Sequence, residues 1–162
     1  MTHGGHEQGA MDHGMMRKHY MLLGLNLLVS LAIMYVVMFA MIWSWGEFVQ
    51  NINFFYMALM MWAPMGSLML LTMGMMYRNK KLNMALHLVF AAIFILSFVG
   101  IREQGLVGDS QFLRSMIPHH SGAILMCREA ALTDPELITL CDQIRRGQRR
   151  EIEQMQAILA RY

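Results

Sequence analysis

Residues 116–127 read Met-Ile-Pro-His-His-Ser-Gly-Ala-Ile-Leu-Met-Cys. Two adjacent imidazoles, His119 and His120, follow a proline, with thioethers at Met116 and Met126 and a thiol at Cys127. Thioether and thiolate groups favour soft ions such as Cu(I), while imidazole also serves Zn and Cu(II). No dedicated carboxylate set accompanies them, which argues against Ca or Mg. A histidine pair alone is more often an ordinary polar feature of a helix than a ligand set. Each methionine alone is equally well a core filler. The case for a site therefore rests on what lies opposite.

A start signal at Asp109 or Ser110 opens a helix over about 110–132, and "TDPE" follows. Asp134 is a suitable cap and Pro135 stands at the tolerated first helical position, so a second helix is expected over about 135–160. A turn this short makes the two antiparallel neighbours. The second helix carries a stripe of Leu137, Cys141, Ile144, Gln148, Glu151, Met155 and Ile158, a seam built to meet another helix. With the turn as centre, Cys127 faces Cys141, Ile124 faces Ile144, His120 faces Gln148, Ile117 faces Glu151 and Leu113 faces Met155. The seam is thus apolar near the turn and polar at its open end. Burying Gln148 and Glu151 there is costly unless they find partners. Imidazoles, thioethers and a carboxylate converging give them a purpose as a metal site or a dense hydrogen-bond network. The expected metal set is His119, His120, Met116, Met126, Gln148, Glu151 and Met155. Pro118 removes one backbone bond, so a kink or a late helix start is expected beside the imidazoles. For Cys127 and Cys141 three readings stay open: a structural disulfide, reduced packing thiols, or metal ligation.

The elements that deliver this pair come first in the chain. The protein has 162 residues, 56% hydrophobic and 15% charged, a balance that suits a small membrane protein. Tyr20–Trp45, Ile52–Tyr77 and Leu82–Ile101 contain no charged residue. Each has the roughly 20 residues a helix needs to cross a hydrocarbon core. The first is too long for a signal-peptide core and reads as an anchor. Arg17 and Lys18 precede it, and Arg78, Lys80 and Lys81 fill the loop between the second and third runs, whereas "GEFVQN" carries only Glu47. The positive-inside rule then places the N-terminus in the cytoplasm and residues from about 102 outside it, in the periplasm or cell exterior. Trp43 and Trp45 fit the outer interface.

Residues 102–162 carry eight basic and eight acidic side chains, which offers no argument for nucleic-acid binding. Arg145, Arg146, Arg149 and Arg150 read first as a solvated helix flank, with Glu153 placed to pair Arg149; contact with anionic lipid or an acidic partner is the alternative. Met57, Met61, Met65, Met69 and Met73 wind around the second run and read as packing residues before a thioether track, with Pro64 expected to kink the middle. His19 and His87 lie near the cytoplasmic ends of their runs. The leading segment, 1–19, holds His3, His6 and His13 among glycines and reads as a flexible tail.

"DSQFLRSMIPHHSGAILM" (109–126) followed by "QRREIEQM" (148–155) resembles the bacterial domain-of-unknown-function family 305. The matching positions are Asp109, Phe112, Met116, Ile117, Pro118, His119, His120, Gly122, Ala123, Met126, Gln148, Glu151, Ile152 and Met155. The resemblance implies half of a ferritin-like four-helix bundle and, from soluble periplasmic relatives implicated in copper binding and resistance, a copper role. Ser121 departs from the family, where many relatives have Gln. A single helical hairpin behind three membrane helices resembles a membrane-anchored branch, and one hairpin cannot close a four-helix core, so pairing with a second copy or packing on the membrane helices is expected.

The expectation is an all-α chain: three transmembrane helices (20–101) followed by an antiparallel extracytoplasmic hairpin (102–162). Its expected function is Cu(I) binding or hand-over in a bacterial cytoplasmic membrane, as a homodimer, with a copper-handling partner. The competing reading is an oligomerisation or partner-binding module whose polar seam sets helix register without metal. No nucleophile–base pair, phosphate loop or cofactor fingerprint argues for an enzyme.

Overall fold

The computed structural model describes residues 4–162, with side chains described from Gly14 onward. His3, His6 and His13 of the leading segment lie outside the described side chains. Among the described residues the chain is all-helical: α1 (Gly4–Val37), α2 (Ile52–Thr72), α3 (Lys80–Arg102), α4 (Asp109–Glu129) and α5 (Pro135–Leu159), with short 3-10 turns at Met38–Met41 and Trp45–Glu47. Among the described residues three stretches are long and apolar enough to cross a membrane: Gly14–Met41, Ile52–Thr72 and Lys80–Arg102.

The chain divides into two compact units, one with residues up to Met34 and Met57–Val99, the other with Tyr35–Tyr56 and Gly100–Tyr162. In the first, Leu23 and Leu27 of α1, Ala63 and Leu70 of α2, Tyr77, and Phe90 of α3 form a buried cluster. Gly66 lets α3 approach: a Cβ there would lie 2.6 Å from Phe90 Cζ. Apolar burial gives little drive between helices in lipid, so this close fit and internal hydrogen bonds hold the unit. Trp62 Nε1 donates to the Leu27 carbonyl at 2.7 Å, and Tyr20 donates its hydroxyl to Asn83 Oδ1 at 2.6 Å. Ser67 Oγ and His87 Nδ1 are 2.6 Å apart. Helix α2 runs through Pro64 without interruption.

The second unit gathers the loop between α1 and α2 around α4 and α5. Phe39 is its aromatic centre, with ring centroids of Phe48, Phe54 and Tyr35 at 4.1, 4.9 and 5.6 Å. Ile52 N donates to Gln111 Oε1 at 3.1 Å, and Asn53 Nδ2 donates to Ser115 Oγ at 3.2 Å, so the start of α2 is tied to α4. The Tyr56 hydroxyl donates to the Gly105 carbonyl at 2.9 Å.

Helix α4 starts at Asp109 with Gly108 as its cap and ends at Glu129, earlier than the expected Leu132. It continues through the buried Pro118, so the late start that proline suggested does not occur. Helix α5 starts as its sequence dictates: the Asp134 carboxylate accepts from the backbone N–H groups of Glu136 and Leu137, with Pro135 next to the cap. Such a cap contributes about 1 kcal/mol.

Candidate functional site

Ile117, Ile124 and Ile152 are the buried core between α4 and α5, with Met155, Leu159, Trp43 and Val49 packed against them. Cys127 and Cys141 form a disulfide near the connection, with Cα atoms 5.2 Å apart. Farther along, His120 Nε2 lies 2.9 Å from Glu151 Oε2. These two links run α4 and α5 alongside each other in opposite directions.

The seam differs from its expected form at the open end. The expected partner of His120 was Gln148, and Glu151 was expected to be buried against Ile117; instead Glu151 meets His120 and its side chain is 54% exposed. Ile152 takes the core, only 1% exposed. The physical reason is a contest between neighbours one residue apart. Burying the Ile152 side chain gains roughly 1.5–3 kcal/mol, while a buried carboxylate costs several kcal/mol before pairing. The helix therefore turns Ile152 inward and leaves Glu151 on the rim.

His120 is itself largely buried, with a side chain 12% exposed. The Met116 carbonyl lies 2.9 Å from its Nδ1, one helical turn back. Two oxygen acceptors thus face the two ring nitrogens. Only a doubly protonated ring donates to both. In the neutral ring that donates from Nδ1 to the Met116 carbonyl, Nε2 is a lone pair facing a carboxylate oxygen. His119 is exposed, its ring centroid 6.1 Å from that of His120. Met116 and Met155 are half-buried, Gln148 likewise, and Met126 is 59% exposed. Among the described residues no group of three or more His, Cys, Asp or Glu converges. The disulfide removes both thiols from any ligand set.

A second polar centre lies around Glu47. Glu47, from the loop between α1 and α2, is only 2% exposed. Its carboxylate accepts from the guanidinium of Arg149, from the Ser121 hydroxyl, and from the Ser44 backbone N–H at 3.2 Å. The fully buried Ser121 also accepts from Trp43 N at 2.6 Å. A buried carboxylate is tolerated only when paired and hydrogen-bonded, and here three donors meet it. Arg149 therefore does not pair with Glu153. The sequence signal for Glu47 was faint: it is the single charged residue in the loop between two uncharged runs. Ser121 ties this loop to α4 through both Glu47 and the Trp43 backbone N–H.

Soft donors also meet in the first unit. His19, Met69, Met73 and Met76 line one small cavity, and His19 and Met76 line another with Met15, Met16 and Met75.

The fold and site define a membrane-associated, all-helical protein in which a disulfide-linked helix pair carries the exposed His119, the largely buried His120 and the pairing of Arg149 with the buried Glu47. Residues 101–159 match the family described as "Domain of unknown function (DUF305)". The chain is 31% identical over 118 residues to "Uncharacterized protein L153" of Acanthamoeba polyphaga mimivirus, a match that covers 72% of this chain and 76% of that protein. The chain belongs to domain-of-unknown-function family 305. No solved structure matches it.

Proposed function

We propose that the chain is a membrane-anchored, extracytoplasmic metal-binding protein that holds or hands over Cu(I) at the histidine pair. The observation that most supports this is the setting of His120: its Nδ1 faces the Met116 carbonyl and its Nε2 faces Glu151. Metal-bound imidazoles commonly donate their other N–H to a carbonyl in this way. An ion entering at Nε2 replaces the proton that the Glu151 contact otherwise requires. The His119 and His120 ring centroids are 6.1 Å apart, so one ion bound to both at about 2 Å would require the two rings to turn a nitrogen toward each other. Met116 and Met155 are the thioether donors on the two helices, with Met126 on the exposed side. Gln148 and Glu151 orient or complete the set. The disulfide supports placing this unit on the oxidising side of a bacterial cytoplasmic membrane, with the N-terminus in the cytoplasm. Hand-over would involve a copper-handling partner, and a second copy would complete the half-bundle.

A register-setting, partner-binding module is the competing reading. It is favoured by the same hydrogen bonds, since both nitrogens of His120 are already satisfied within the chain.

An anaerobic Cu(I) titration of the full-length protein against a competing chelator separates the two. Stoichiometric uptake that disappears in His119→Ala/His120→Ala, with helix content and the disulfide intact, is the expected result. Uptake that is absent, or unchanged in the double variant, would overturn the copper reading and leave the register role.

A further inference from the structure

A cavity of about 760 Å³ opens beside α5, walled by Trp43 and Ile124 and by five arginines. Two of the five are committed within the chain: Arg149 to Glu47, and Arg145 to Asp142 at 3.0 Å. Among the described residues, Arg128, Arg146 and Arg150 have no carboxylate within ion-pair distance. Arg146 and Arg150 are one turn apart on α5 and point along one flank. Arg128, from the last turn of α4, stacks on Trp43 with its Cζ 3.7 Å from the ring centroid. Stacking fixes the plane of that guanidinium while leaving its N–H edge free to donate. Gln143 adds a polar side chain to the same wall.

We propose that this cavity binds a phosphate group, held by Arg128, Arg146 and Arg150. Three uncompensated guanidinium forks exceed what one carboxylate would balance, and a planar fork matches phosphate oxygens two at a time. The volume falls in the range of sites for small molecules and headgroups. The phosphate can come from an anionic lipid headgroup or from a free anion. Connectivity favours the headgroup: Trp43 stands two residues beyond Met41, the end of a stretch apolar enough to cross the membrane. Basic side chains so placed are attracted to anionic lipid. This site uses neither histidine and is independent of the copper reading.

The test uses the full-length protein in phosphatidylcholine nanodiscs. One arm titrates inorganic pyrophosphate by calorimetry. The other follows retention of phosphatidylglycerol by native mass spectrometry after exposure to mixed lipid. Binding in either arm that weakens by roughly a hundredfold in Arg128→Gln/Arg146→Gln/Arg150→Gln supports the site; the arm that responds identifies the source. These three side chains are exposed, and Arg149 is left in place, so Glu47 keeps its partner. A control variant, Arg102→Gln/Arg161→Gln, should bind as the parent does. No binding in either arm overturns the proposal. So does binding that survives the triple substitution or falls equally in the control.

Discussion

Glu47 and Arg149 lie 102 positions apart in the chain and form an ion pair in which the carboxylate side chain is 3% exposed and the arginine 38%. The pair joins the loop after α1 to the middle of α5, and Ser121 joins the same carboxylate to α4. One loop residue thereby fixes three segments of the second unit.

Removing one partner leaves the other with its desolvation cost. Arg149→Ala is expected to destabilise the α4–α5 unit by about 2–3 kcal/mol, less than for a fully buried pair because Arg149 is partly solvated. Glu47→Leu with Arg149→Leu should recover part of that loss. Native-state hydrogen exchange of α4 and α5 amides measures both changes. Equal protection in Arg149→Ala and parent would show that the pair contributes nothing.

The Cys127–Cys141 disulfide closes a short segment, 14 positions apart. Constraining a loop of that size stabilises by about 3 kcal/mol in the chain-entropy description. Reduction, or Cys127→Ser/Cys141→Ser, should lower the unfolding temperature of this unit and raise exchange at the α4–α5 connection first. Unchanged melting under reducing conditions would refute a stabilising role.

Gly66 faces the ring of Phe90 with no room for a side chain. Gly66→Ala should cost about 1–3 kcal/mol through overpacking. Phe90→Leu in the same chain should restore much of it, by shortening the side chain that clashes. Thermal unfolding of the four variants in one detergent is the measurement, and additive losses would contradict the clash.

Tyr162 donates its hydroxyl to Asp109 Oδ2 at 3.1 Å, and this hydrogen bond, with the nearby negative charge, raises the phenol above its ordinary value of 10.0. The folded-state value is raised, so whatever the contact adds is present below the ordinary value and is lost as pH rises through the raised one. Tyr162 is largely exposed, so the effect belongs to its titration rather than to global stability. An NMR titration of the Tyr162 ring should give a lower midpoint in Asp109→Asn than in the parent. Identical midpoints would show that the contact is not formed in solution.

The α4–α5 pair shows how far a one-dimensional pattern reaches. Asp134 and Pro135 are adjacent to the helix they start, so the cap of α5 could be read directly. The three long uncharged runs likewise report a membrane-crossing length without reference to anything else, and the Met-Ile-Pro-His-His stretch with its Gln-x-x-Glu-Ile-x-x-Met answer carries the family resemblance. The pairing of His120 could not be read so finely. Gln148, Glu151 and Ile152 lie within two turns, and a seam stripe drawn through one also passes near the others.

What the sequence alone determined is what depends on local rules: helices, their caps, membrane-length segments, and a histidine pair on the helix that precedes a capped partner. The tertiary structure decided which residue of a polar–apolar neighbour pair turns inward, and it placed Ile152 in the core and Glu151 at the rim. It also decided the fate of Glu47. A lone acid in a short loop has no local partner, and only the folding of α4 and α5 against that loop brings Arg149 and Ser121 within reach. Burial of a charge is a property of everything around it, and that is set by contacts the linear order does not contain.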